Sequence, residues 1–257
     1  MEPKPSSRGP FRVEHLRDGD PYELSHGHAI FCLPTGGDHA RTSGLGFEVL
    51  SSDPLVDSAG VDAGFTTEAG QLRAPDVAIG NVPDRPGWVA GAPPLAVEYA
   101  ARSQDEGELQ ARIADLLGMG TRWVWVVRLT PPRHVEVHAA GEPPTVVGPG
   151  GSLTAPGVLQ NPVPVEALWE RDAAHEVTLR NLLQRAGYQT LDDVREEGRE
   201  EGREEGSRRA LLRILAARFG EPSRAVAAAV AGASPATLDA WLIHALDAAS
   251  ADAVIRS

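Results

Sequence analysis

Two acidic side chains in this sequence are spaced so that they can share one cation. Asp76 follows Pro75 and heads the apolar segment Val77-Ala78-Ile79, and Glu98, 22 positions later, closes the apolar run Leu95-Ala96-Val97. Neighbouring strands lie about 4.8 Å apart, so carboxylates at matching strand ends reach the same hard ion. Magnesium suits such a pair: it needs only one or two protein carboxylates, completes its shell with water and phosphate oxygens, and makes a coordinated water more acidic. Other side chains invite metal readings that geometry weakens. His134, Glu136 and His138 alternate with Val135 and Val137 and so share one strand face. Residues four apart on a strand are separated by about 13 Å, too far for both histidines to hold one ion, so this reads as a polar outer face. His26 and His28 flank Gly27 and read as turn residues. Cys32 is the single cysteine, which excludes an internal disulfide and a zinc site built on several thiolates. No GxSxG elbow, GxxxxGK loop or GxGxxG after a strand occurs, so the common hydrolase, NTPase and dinucleotide readings lack support.

The elements that must position these residues can be read from periodicity. Residues 21–33 read as two short strands about a turn at Gly27, and 37–52 as a helix weakened by Gly44 and Gly46, each costing about 1 kcal/mol relative to alanine. Strands follow between 60 and 79, then a proline-rich loop and the strand ending at Glu98. Leu109, Ile113, Leu116 and Leu117 form one apolar stripe and predict a helix that Gly118 and Gly120 end. Residues 123–129 and 134–138 are strands, which gives a mixed α/β sheet flanked by helices. Residues 141–164, rich in Gly, Pro and Val without periodicity, read as an extended strap that leaves the core.

Beyond the strap the composition shifts to helix formers. A helix is predicted over 165–186. Three copies of Arg-Glu-Glu-Gly over 195–206 then read as an exposed helical connector with pairs such as Glu196–Arg199 and Glu200–Arg203. The apolar face of Leu211, Leu212, Leu215 and Phe219 continues this helix, and two more helices follow near 222–232 and 235–248. The resulting division is a flexible lead over 1–20, a main domain over 21–172, the connector over 173–210 and a small helical domain over 211–257. Its core is marginal, which predicts docking or a homo-oligomer formed through the C-terminal helices.

The formal charge is -12, from 36 Asp and Glu against 24 Lys and Arg. That balance excludes coating of nucleic acid by bulk electrostatics, so any DNA contact must be local. Lys4 is the only lysine. No apolar run approaches the ~20 residues that cross a bilayer and no secretory leader is evident, which points to a cytoplasmic protein with no membrane partner.

The segments YELSHG, RAPDVAIG, PPLAVEYAARS, ARIADLLGMGTRWVWVV and GSLTAPGVLQNPVPVEAL resemble the Uma-type family of restriction-endonuclease-like proteins, a branch of the PD-(D/E)XK nuclease superfamily. The resemblance covers roughly residues 20–172. Its most specific part is the order Pro75-Asp76, Glu98 after an apolar strand, a helix, then Gly120 with Trp125 five residues later. The resemblance implies an αβββαβ core in which Asp76 and Glu98 bind Mg²⁺, with Mn²⁺ as a substitute, and hydrolyse DNA phosphodiester bonds. The family's lysine, eight residues before the matched glycine, is here Arg112. Arginine effectively cannot serve as a general base, but it can hold a scissile phosphate. Helical geometry leaves two places for it: at the sheet edge in the site, or on the surface paired with Glu108. The family's Glu-Val-x-Ser becomes Glu98-Tyr99-Ala100-Ala101, without the hydroxyl. Glu48 and Asp62 are candidates for a third acid. The two expectations are a Mg²⁺-dependent endonuclease using Asp76, Glu98 and Arg112, and a nuclease-fold protein without catalysis that acts as a binding or assembly module.

Overall fold

The computed structural model describes residues 9–101 and 105–256. Its strands are β1 (Tyr22–Ser25), β2 (His28–Phe31), β3 (Ala59–Val61), β4 (Phe65–Thr66), β5 (Val77–Ile79), β6 (Val89–Ala90), β7 (Leu95–Ala100), β8 (Trp123–Arg128), β9 (His134–Ala139), β10 (Thr145–Val147), β11 (Ser152–Leu153) and β12 (Val163–Pro164). Its helices are α1 (Gly37–Ser51), α2 (Glu106–Gly118), α3 (Arg171–Arg185), α4 (Leu191–Phe219), α5 (Arg224–Ala231), α6 (Pro235–His244) and α7 (Ala251–Ile255). The chain divides into two compact units, 1–187 and 188–257.

In the first unit a six-stranded sheet runs in the order β10-β9-β8-β7-β5-β3. Only β7 and β8 are parallel, with Leu95 opposite Trp123, and α2 makes the crossover between them. The succession α1, β3, β5, β7, α2, β8 is the expected αβββαβ core within a mixed α/β fold. Strand alternation sorts the side chains onto two faces. Val97, Tyr99, Trp125 and Val127 join α1, α3 and the 153–168 segment in the larger core. Ala96, Ala100, Val124 and Val126 meet Leu109, Ile113 and Leu116 of α2 on the other.

Helix α1 forms despite its glycines. Gly46 allows a close approach, since a Cβ there would collide with the Tyr99 hydroxyl, whereas around Gly44 there is open space. The predicted strap behaves differently from expectation. Leu153, Ala155, Val158, Leu159 and Val163 are buried in the larger core, because β11 and β12 pair and turn the chain back inward. The helix expected over 165–186 is a 3-10 turn, Val165–Leu168, followed by α3. Helix α3 packs on α1 through Asn181, which donates to Ser52 Oγ at 3.0 Å, and the first compact unit includes α3 and runs to Gly187. Of the lead expected to be flexible, residues 1–8 lie outside the described residues. Beyond them Phe11 N–H donates to Gly27 O and Val13 N–H to Ala69 O, both at 2.7 Å, tying this stretch to the hairpin.

The second unit packs Leu211 and Leu215 of α4 against Val226, Val230, Leu238, Trp241 and Val254. Periodicity did not indicate helix α7; Ser250 caps it by accepting from Ala253 N–H. The Arg-Glu-Glu-Gly repeats lie on α4, where Glu196 pairs with Arg199 at 3.3 Å. The expected Glu200–Arg203 pair is not among the ion pairs of the described residues; Arg208 and Arg209 pair instead with Glu204 and Glu205, four residues earlier. No helix among the described residues is long and apolar enough to cross a membrane.

Candidate active site

The antiparallel pairing of β5 with β7 sets Val77 opposite Val97, and one step beyond that ladder Asp76 stands opposite Glu98. Both line a cleft of about 1070 Å³, together with Glu23, His39, Asp62 and Arg112. The two carboxylates predicted from spacing therefore face one cavity. Asp76 Oδ2 accepts the Tyr99 backbone N–H at 2.6 Å and lies 3.1 Å from His39 Nε2 on α1. Glu98 lies on the α2 face of β7, where it is 3% exposed. Its Oε2 accepts from Arg112 Nη1 at 3.1 Å, and Arg112 Nη2 lies 3.2 Å from Glu23 Oε1. Arg112 thus points into the acidic cleft, and the surface alternative with Glu108 is not formed.

Glu23 continues this contact inward. Arg73, fully buried, donates to Glu23 Oε2 at 2.9 Å and, through Nε and Nη2, to Asp115 Oδ2 at 2.9 and 2.6 Å. Ser25 Oγ donates to the same Asp115 oxygen at 2.8 Å. One buried chain of charges therefore runs Asp115–Arg73–Glu23–Arg112–Glu98, linking α2, β1 and β7. Sequence reading did not single out Glu23, His39, Arg73 or Asp115. Glu23 carried a signal, since it is the acidic member of the strand segment Tyr22-Glu23-Leu24. Of the proposed third acids, Asp62 lines the cleft in a left-handed conformation (φ 51°). Glu48 does not line it, because nine residues along α1 from His39, at 100° each, carry it to the opposite side.

Burial pushes the Glu98 carboxyl well above its ordinary range; Arg112 opposes this, and Asp76 and Glu23 add to it. Burial lowers the Arg112 guanidinium, but Glu98, Glu23 and Asp76 outweigh it and leave the group firmly protonated. His39 is raised by its hydrogen bond to Asp76 against the effect of burial. Asp62 is raised by burial and then by Asp76. The Cys32 thiol, in the same cleft, is pushed up to about 11 by burial and by Glu23, which makes it a poor nucleophile.

Glu98 Oε1 is buried without a hydrogen-bond partner, the only such carboxylate oxygen among the described residues. Each carboxylate is thus held by one oxygen, Asp76 by Oδ2 and Glu98 by Oε2, and Glu98, which lines the cavity, keeps one buried acceptor orphaned. This fits a hard divalent cation, which takes oxygen ligands and compensates buried negative charge. No cluster of three or more His, Cys, Asp or Glu side chains able to hold a metal is found among the described residues. A cation here would rely on these two carboxylates and on water or substrate, which suits magnesium. His134, Glu136 and His138 lie elsewhere, on β9. There Glu136 accepts from Arg128 Nε at 2.8 Å, and Arg128 also pairs with Glu106 at 2.8 Å, so the face is an ion-pair cluster.

Fold and site together define an αβββαβ protein with paired carboxylates where two core strands meet. The chain shares the fold of a protein from Anabaena variabilis ATCC 29413 that is described as a candidate nuclease belonging to DUF820. The similarity covers 64% of this chain and 99% of that one, with a TM-score of 0.54 and 17% sequence identity. No family model matches the sequence. No curated protein matches it either.

Proposed function

We propose that this chain is a divalent-cation-dependent endonuclease that hydrolyses DNA phosphodiester bonds. The observation that carries the reading is Glu98 with one oxygen orphaned in a cleft and Asp76 directly across the strand pair. Asp76 and Glu98 would hold Mg²⁺, or Mn²⁺ in its place. When bound, the ion supplies Lewis-acid stabilisation of the charge that builds on phosphate oxygens as water adds to phosphorus and the P–O ester bond breaks. His39 and the Tyr99 N–H fix the Asp76 carboxylate by its Oδ2. Arg112 fixes Glu98 and brings a permanent positive charge to the cleft, where it can meet an anionic phosphate. It occupies the place of the lysine in the resembled family but cannot take a proton from water, so its contribution is electrostatic. The candidate nuclease with the same fold supports the reaction class.

A second reading has its own observation in favour. Arg112 is already engaged by both Glu98 and Glu23, as an internal cation would be in a nuclease fold that has lost hydrolysis and acts as a binding or assembly module. Cleavage of single-stranded circular DNA and of plasmid, each with Mg²⁺ or Mn²⁺, by wild type and Glu98→Ala decides between them. The endonuclease reading expects a loss of about 100-fold or more in the variant. Equal residual cutting by both proteins would point to contamination and leave only the binding module.

A further inference from the structure

The lining of the cleft that holds Asp76 and Glu98 bears on which form of nucleic acid would fit it, a question that rests on the nuclease reading of the same site. Nine Asp and Glu residues line it, including Asp18, Asp20, Asp38 and Glu108 beyond the floor, while Arg112 is the single Lys or Arg among its described lining residues. Duplex DNA carries one negative charge per ~1.7 Å of axis, and proteins that track it do so with several Lys or Arg side chains on phosphates. This lining opposes such tracking. The cleft nevertheless has an apolar wall: Phe31 is 41% and Leu33 72% exposed, and Trp88 lines the same cavity. Phe31 is the only aromatic side chain among the exposed large hydrophobics of the described residues, and its ring lies 5.5 Å from that of Tyr22, which steadies it.

We infer that the cleft admits a single-stranded segment of DNA, with one phosphate at Asp76 and Glu98 and the neighbouring bases on the wall of Phe31, Leu33 and Trp88, and that it rejects the intact duplex. Bases can supply the affinity because every base has a face that stacks on an aromatic ring. A single strand is also flexible enough to bring one phosphate to the floor while its other phosphates stay away from the acidic rim. The wall and the floor line one cavity, so a strand held at the carboxylates meets these side chains without a second site.

The test uses the full chain, with Ca²⁺ to suppress hydrolysis, and measures fluorescence anisotropy of a labelled oligothymidylate alone and annealed to its complement. Single strand is expected to bind at least about tenfold tighter than duplex. Phe31→Ala is expected to weaken single-strand binding by about tenfold with Mn²⁺ affinity by calorimetry unchanged, while loss of the contact with Tyr22 lowers the melting temperature by only a few degrees. Leu33→Ser, at a more exposed position, should act in the same direction. Duplex binding as tight as single strand, or single-strand affinity indifferent to both substitutions, overturns the inference. Uptake of Mn²⁺ without binding of either oligonucleotide also overturns it while sparing the cation site. No uptake of Mn²⁺ by the wild type overturns the nuclease reading and this inference with it.

Discussion

Glu98 and Asp115 belong to one buried chain of charges yet are displaced in opposite directions. Burial raises both. For Asp115 the hydrogen bonds from Ser25 and Arg73 and the charge of Arg73 outweigh it, and the carboxyl ends below its usual range. Glu98 has one guanidinium N–H, an orphaned oxygen and two acidic neighbours, and ends above. The lowered Asp115 therefore stabilises the fold at pH values above its unfolded-state range, and that contribution is lost as pH falls through its folded value. Asp115→Asn is expected to cost about 3–5 kcal/mol at pH 7, because it leaves the fully buried Arg73 short of a counter-charge. Urea midpoints should show the gap to wild type intact at pH 5 and shrinking only below the ordinary aspartate range. These inner residues were illegible in the sequence for a physical reason. Ser25 and Asp115 are 90 positions apart and Arg73 and Asp115 are 42 apart, and no local pattern marks such partners. Asp76 and Glu98 each sit where an apolar strand meets a polar group, a weak signal in a chain with 36 acidic residues, and it was their order among the motifs of the resembled family that singled them out.

At the scale of elements, periodicity found the helices and strands that bury one face. Leu109, Ile113 and Leu116 of α2 are core residues as their spacing predicts. It missed what tertiary packing alone decides. The 153–163 stretch has no period because its strands are only two residues long, and its buried positions are set by what α1 and α3 leave to fill. Helix α1 gives a paired test of the same point. Its two glycines carry the same local penalty, so Gly44→Ala, which meets open space, is expected to stabilise by up to about 1 kcal/mol. Gly46→Ala must displace Tyr99, whose hydroxyl donates to Leu168 O at 3.2 Å, and is expected to destabilise by about 1–3 kcal/mol. Thermal or urea melts of the two variants check the opposite signs.

For the whole molecule, the two compact units carry separate cores, and Ile243 and Leu246 on the second are 69% and 66% exposed. Self-association through these C-terminal helices, proposed from their small core, predicts a multimer of the full chain in sedimentation equilibrium. A chain ending at Gly187 is expected to be monomeric with unchanged Mn²⁺ affinity; a monomeric full chain would remove the proposal. The parallel neighbours β7 and β8 bear on how the protein is made. Glu23, His39, Asp76, Glu98 and Arg112 all precede β8 in the chain, so these groups of the cleft have left the ribosome while β7 still lacks its second neighbour. At ~5–20 residues per second that bare backbone edge persists for roughly a few seconds, and during that interval the nascent polypeptide is open to adventitious strand pairing.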